Sequence, residues 1–107
     1  MTLNDYQAAA KAFPKFEADE HPFYLGLALC GEAGEIANKL KKVWRADRQP
    51  TQRELMEIAH ELGDVLYYVA MMADVMSVKL DTVAQMNLEK IRSRIARGTL
   101  EGDGDNR

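Results

Sequence analysis

The chain is poor in the residues that staple, break or anchor small proteins. One cysteine in 107 residues, Cys30, cannot form an internal disulfide, and no basic neighbour marks it as a reactive thiol. Three prolines, at positions 14, 22 and 50, leave long stretches free to be helical. Three Phe, four Tyr and one Trp supply few bulky anchors, so a core must be filled by Leu, Ile, Val, Met and Ala. A basic excess is also missing. The formal net charge of -3 argues against broad binding to nucleic acid or anionic membranes, which calls for a basic surface. The longest apolar run, residues 65–76, is interrupted by Asp74 and is far shorter than the roughly 20 residues of a membrane-spanning helix. With no secretory signal ahead of the first helix, a cytoplasmic location is expected.

What is present reads as helix. At 47% hydrophobic, the chain suits a single domain, residues 1–107, with a modest core. Thr2 can cap a first helix that Pro14 stops. Residues 15–21 are charged and irregular, and Pro22 opens a second helix reaching about Arg45. After a polar loop at residues 46–50, Thr51-Gln-Arg-Glu54 matches a capping box and begins a third helix expected to reach about Val78. Asp81 is the expected cap of a fourth, ending near Arg97 with Gly98 at the left-handed terminal position. Residues 99–107 read as a disordered tail. The expected class is all-α: a bundle of about four helices.

Two acidic pairs, Glu32-Ala-Gly-Glu35 and Glu61-Leu-Gly-Asp64, fall inside the two most apolar of these helices. Residues three apart share a helix face, so each pair can present two carboxylates together. On a wheel, Leu25, Leu29, Glu32, Ile36 and Val43 form one stripe, so Glu32 interrupts an apolar face, with Glu35 at its edge. On the third helix Leu55, Ile58, Leu62, Val65, Val69, Met72 and Met76 form the apolar stripe, flanked by Glu57, Glu61, Asp64 and Tyr68. Unneutralised, such acids repel. A hard divalent cation, Mg²⁺ or Mn²⁺, resolves the repulsion through oxygen ligands, and an anionic, phosphorylated substrate is its natural companion. The fourth helix has Leu80, Ala84, Leu88, Ile91 and Ile95 on its apolar stripe and Asn87, Lys90, Arg94 and Arg97 beside it. That basic line suits phosphate, although cations near a helix C-terminus also favour the macrodipole. Gly31, Gly34 and Gly63 each cost up to about 1 kcal/mol of helix propensity relative to alanine, which predicts close approach of a backbone or ligand.

Blander readings compete for several residues. Tyr67 and Tyr68 suit core or interface, and Trp44, among Lys41, Lys42 and Arg45, can either stack on a base or cover the core edge. Glu57-Ile-Ala-His60 has the spacing of a di-iron ligand pair, but that fold needs two such motifs, and His21 sits in a loop without a matching Glu. His60 is therefore read as a surface or interface residue. An acidic docking face on a non-enzymatic helical module is the alternative to a metal site.

At these residues the chain resembles the MazG-like members of the all-α nucleoside triphosphate pyrophosphohydrolase superfamily. Glu-x-x-Glu followed on the next helix by Glu-x-x-Asp is that family's signature, and Gly31-Glu32-Ala33-Gly34-Glu35-Ile36 and Glu61-Leu62-Gly63-Asp64-Val65-Leu66 resemble its phrases, as do Asn87, Lys90 and Arg94. The likeness covers about residues 20–97. It implies Mg²⁺-dependent hydrolysis of nucleoside or deoxynucleoside triphosphates to monophosphate and pyrophosphate, a house-cleaning activity. In that reading Glu32, Glu35, Glu61 and Asp64 hold the metal, and Glu35 also orients or deprotonates the attacking water. Lys90 and Arg94 neutralise the triphosphate, Asn87 meets sugar or phosphate, and Tyr68 and Trp44 contact base or sugar. It further implies a homo-oligomer, a tetramer in preference to a dimer, with sites at subunit junctions.

Overall fold

In the computed structural model, which describes residues 1–98, the order is α1 (Leu3–Lys11), a 3-10 turn (Glu17–Glu20), α2 (Pro22–Arg45), α3 (Gln52–Val75) and α4 (Leu80–Ala96). No strand occurs among the described residues. The expected disordered tail, residues 99–107, lies outside them. Local chemistry sets most boundaries. Thr2 and Asp5 form a reciprocal capping box on α1, as Thr51 and Glu54 do on α3. Arg48 adds a two-pronged ion pair to Glu54, at 2.8 and 3.0 Å. These hydrogen bonds hold the Glu54 carboxyl down to about 2. His21 caps α2 by accepting the Phe23 amide proton on Nδ1 at 3.2 Å, with Pro22 behind it at the first helical position.

Three expectations about where the elements begin and end need correction. Residues 15–21 are not wholly irregular, because the Ala18 carbonyl accepts from the His21 amide at 3.0 Å to close the 3-10 turn. Helix α3 stops at Val75 rather than Val78. Ser77 takes a left-handed φ of 59°, and the Ser77 and Val78 amides turn back onto the Asp74 and Ala73 carbonyls at 2.9 and 2.8 Å, a Schellman closure. Asp81 does not cap α4, whose N-cap is Lys79 without a side-chain bond. Helix α1 supplies the acceptors instead. Gln7 Oε1 accepts from the Leu80 amide at 3.0 Å and Asn4 Oδ1 from the Asp81 amide at 2.9 Å. Gln7 is buried, and its Nε2 donates to the carbonyls of Ala70 and Val78. Gly98, at φ 70°, ends α4 as expected.

Helices α2 and α3 pair as a long hairpin, and α1 and α4 pack across the end of α3. The core gathers there, around Ala10, Leu25, Ala70, Met71 and Leu80. The expected apolar stripe of α3 is therefore only partly covered: Leu55, Leu62 and Met76 are exposed. Along α4, Leu80 is buried and Ala84 and Ile91 are half-buried, as the stripe predicts, while Leu88 and Ile95 are exposed and Arg94, from the neighbouring line, is buried. Within this chain no described residue comes close to Gly31, Gly34 or Gly63. A Cβ built at each meets nothing within 4 Å among the described residues, because these positions look outward from the hairpin.

Candidate metal centre

Antiparallel pairing of α2 and α3 brings the two acidic motifs level. Glu32 from α2 and Glu61 and Asp64 from α3 each offer an oxygen, all within 4.8 Å of one another. Glu32 and Glu61 are half-buried and Asp64 is exposed, so Glu32 does not intrude on the core as the wheel implied. It borders it. Partial burial first, and then the like charges of Asp64, Glu61 and Glu35, raise the Glu32 carboxyl above its ordinary value. Glu35 is exposed and not part of the close trio; its charge is felt at Glu32 one turn away.

Around the trio stand groups that the sequence did and did not announce. Tyr68 is half-buried and packed edge-on to Tyr67; burial first, then neighbours that include Tyr24, Asp19 and Glu32, raise its hydroxyl. Tyr6, from α1, was not foreseen. Burial and then Asp64 raise its phenol, but a separation of 58 positions in the sequence leaves no signal for that approach. Lys39 was also missed, and its Nζ lies 3.9 Å from Glu61 and 3.9 Å from Glu57. Its position four residues after Glu35 was the available clue.

The remaining expected site residues fall in three places. Asn87 and Lys90 reach a cavity of about 470 Å³ shared with Leu29, Val69, Met72 and Met86. Leu29 is one turn before Glu32 and Val69 little more than one turn after Asp64, so this apolar chamber adjoins the carboxylates. Arg94 is buried on α4 and does not line that chamber. Trp44 is 85% exposed, at the hairpin tip with Arg48 and Pro50. Twelve residues separate it from Glu32, about 18 Å along a helix, so one chain does not bring Trp44 to the trio.

The donor set fits a divalent cation. Three carboxylates close enough to share one ion, with water able to fill the remaining positions, suit a hard metal, and the crowding at Glu32 is what such an ion would relieve. An all-α hairpin that gathers three carboxylates able to hold a cation, with Asn and Lys lining an apolar cavity nearby, is the arrangement a metal-assisted enzyme of anionic substrates requires. Comparison with known proteins narrows that class. The MazG nucleotide pyrophosphohydrolase domain matches residues 22–97, and the chain belongs to that family, whose members are metal-dependent. The Gene 37 protein of Mycobacterium phage L5 is 51% identical over 85 residues, 78% of this chain and 75% of that protein. The crystal structure of iMazG from Vibrio DAT 722 is similar over 90% of this chain and 97% of its own, with a TM-score of 0.61 and 30% identity.

Proposed function

We propose that the chain hydrolyses nucleoside or deoxynucleoside triphosphates to the monophosphate and pyrophosphate, with Mg²⁺ as the cofactor and Mn²⁺ as a substitute, in a cytoplasmic house-cleaning role. The observation that carries this reading is the close trio of Glu32, Glu61 and Asp64 in a chain of this family, with Asn87 and Lys90 lining a cavity whose Leu29 lies one turn before Glu32. Glu32, Glu61 and Asp64 would hold the cation, with Glu35 joining from one turn along α2. A bound divalent cation polarises phosphoryl oxygens and lowers the pKa of a water.

The protein's own groups do the rest. Glu35, exposed to solvent, accepts a proton from the attacking water. The water oxygen bonds to phosphorus, the anhydride bond between the α- and β-phosphates breaks, and pyrophosphate leaves with the electron pair. Lys90 neutralises phosphate charge at the chamber rim, and Asn87 offers an amide to sugar or phosphate. Arg94, buried one turn further along α4, reinforces the positive potential there. Tyr68 places a hydroxyl beside Glu32 for a sugar contact. Trp44, far from its own trio, contacts a base across a junction between copies in a homo-oligomer, a tetramer in preference to a dimer.

The test is a panel of ribo- and deoxyribonucleoside triphosphates incubated with the protein and Mg²⁺. Pyrophosphate with equimolar monophosphate is the expected product; release of orthophosphate alone, or of nothing, contradicts the reading.

A further inference from the structure

We propose that Lys39 is a resident counter-ion of the carboxylate trio, one that competes with the divalent cation for Glu61 and so sets cation affinity. This rests on the metal reading above but concerns a residue that reading does not use. Lys39 lies two turns beyond Glu32 on α2, where the antiparallel hairpin sets it against Glu57 and Glu61. Its Nζ is equidistant from the two, at 3.9 Å. Glu57 already has a nearer cation in Arg53, whose Nε is 3.4 Å away. The charge of Lys39 is therefore left for Glu61 and the trio, and among the described residues no other ion pair reaches Glu32, Glu61 or Asp64.

The distances also say how Lys39 acts. At 3.9 Å neither contact is a hydrogen bond, so the ammonium attracts Glu61 through charge without fixing its rotamer. A tether that aims a ligand needs a shorter, directed contact. A loose counter-ion instead lowers repulsion among the acids while the site is empty, and opposes a second cation that arrives. Lys39 is a positioning residue for charge, not a catalytic one. Its removal should then strengthen cation binding, whereas loss of an aiming residue would weaken it.

Calorimetric titration of Mn²⁺ into metal-stripped protein, without nucleotide, separates these outcomes. Lys39→Met, and Lys39→Gln as a second neutral variant, are expected to bind on the order of five- to tenfold more tightly than wild type at low salt. Lys39→Arg should match wild type. The gain should fade near about 1 M salt, where the screening length is about 3 Å; a packing effect would persist. Unchanged or weaker binding by the neutral variants, with Mn²⁺ still bound by wild type, overturns the Lys39 proposal alone. Failure of wild type and all variants to bind Mn²⁺ overturns the metal reading, and the role of Lys39 with it.

Discussion

Glu32 carries the conflict on which the site is built. Its carboxyl is raised by partial burial and by three neighbouring acids. An acid whose folded value is raised contributes stability below the unfolded carboxylate range, and that contribution is lost as pH rises through the folded value. At neutral pH the ionised group is therefore a net cost in the metal-free protein. Glu32→Gln should melt higher than wild type in EDTA at about pH 7, and the difference should vanish by about pH 4. Added Mg²⁺ should reverse the order, because a ligand that binds only the folded wild type stabilises it. Equal melting curves at both pH values would show that the acids do not repel. From sequence, the spacing named all four acids, but not that Glu35 stands outside the close trio or that Tyr6 and Lys39 approach it. Such contacts depend on the relative rotation of helices, which one helix's periodicity does not contain.

Among the elements, the junction of α1, α3 and α4 is centred on one buried amide, with Asn4 capping Asp81 and Lys11 paired to Asp74 around it. Gln7 is buried and serves the Ala70 and Val78 carbonyls and the Leu80 amide, joining three helices without a charged group. Gln7→Ala leaves those partners unmet, and the expected loss is about 2–3 kcal/mol in urea unfolding; a loss under 0.5 kcal/mol would show that water replaces it. Helix starts written in local chemistry, Thr2, Pro22 and Thr51, were legible in the sequence, as was Gly98. The start of α4 was not. Its amides are capped by Asn4 and Gln7 from more than 70 residues away, and the nearest local candidate, Asp81, instead lies inside the helix. The end of α3 was misjudged because Ser77 adopts a left-handed backbone without the glycine that would announce it.

At the scale of the whole molecule, the chain is more open than its length requires. Its radius of gyration is 16.5 Å, against about 13 Å for a compact domain of this size. Leu27, Leu40, Leu62 and Leu66 remain exposed on the α2–α3 hairpin, near the glycines whose outward faces are empty. A second copy laid on this face would cover both and would give Trp44 a neighbouring site to meet. Light scattering behind size exclusion should therefore give a multiple of 12.1 kDa, with Leu66→Glu shifting the mass toward the monomer; a monomeric wild type would leave each site to one chain. The amphipathic stripes were legible in the sequence, but no wheel tells which part of a stripe meets α1 or α4 and which part stays open.

The central claim is that the trio serves pyrophosphate release through a divalent cation. Pyrophosphate release from the best triphosphate substrate, followed against Mg²⁺ concentration for wild type and Asp64→Asn, tests it most directly. Release that rises with Mg²⁺ in wild type, stops in EDTA and falls at least about a hundredfold in the variant, the size expected for loss of a site's charge stabilisation, is the predicted result. Release that ignores Mg²⁺, or that survives in Asp64→Asn at the wild-type rate, would contradict it.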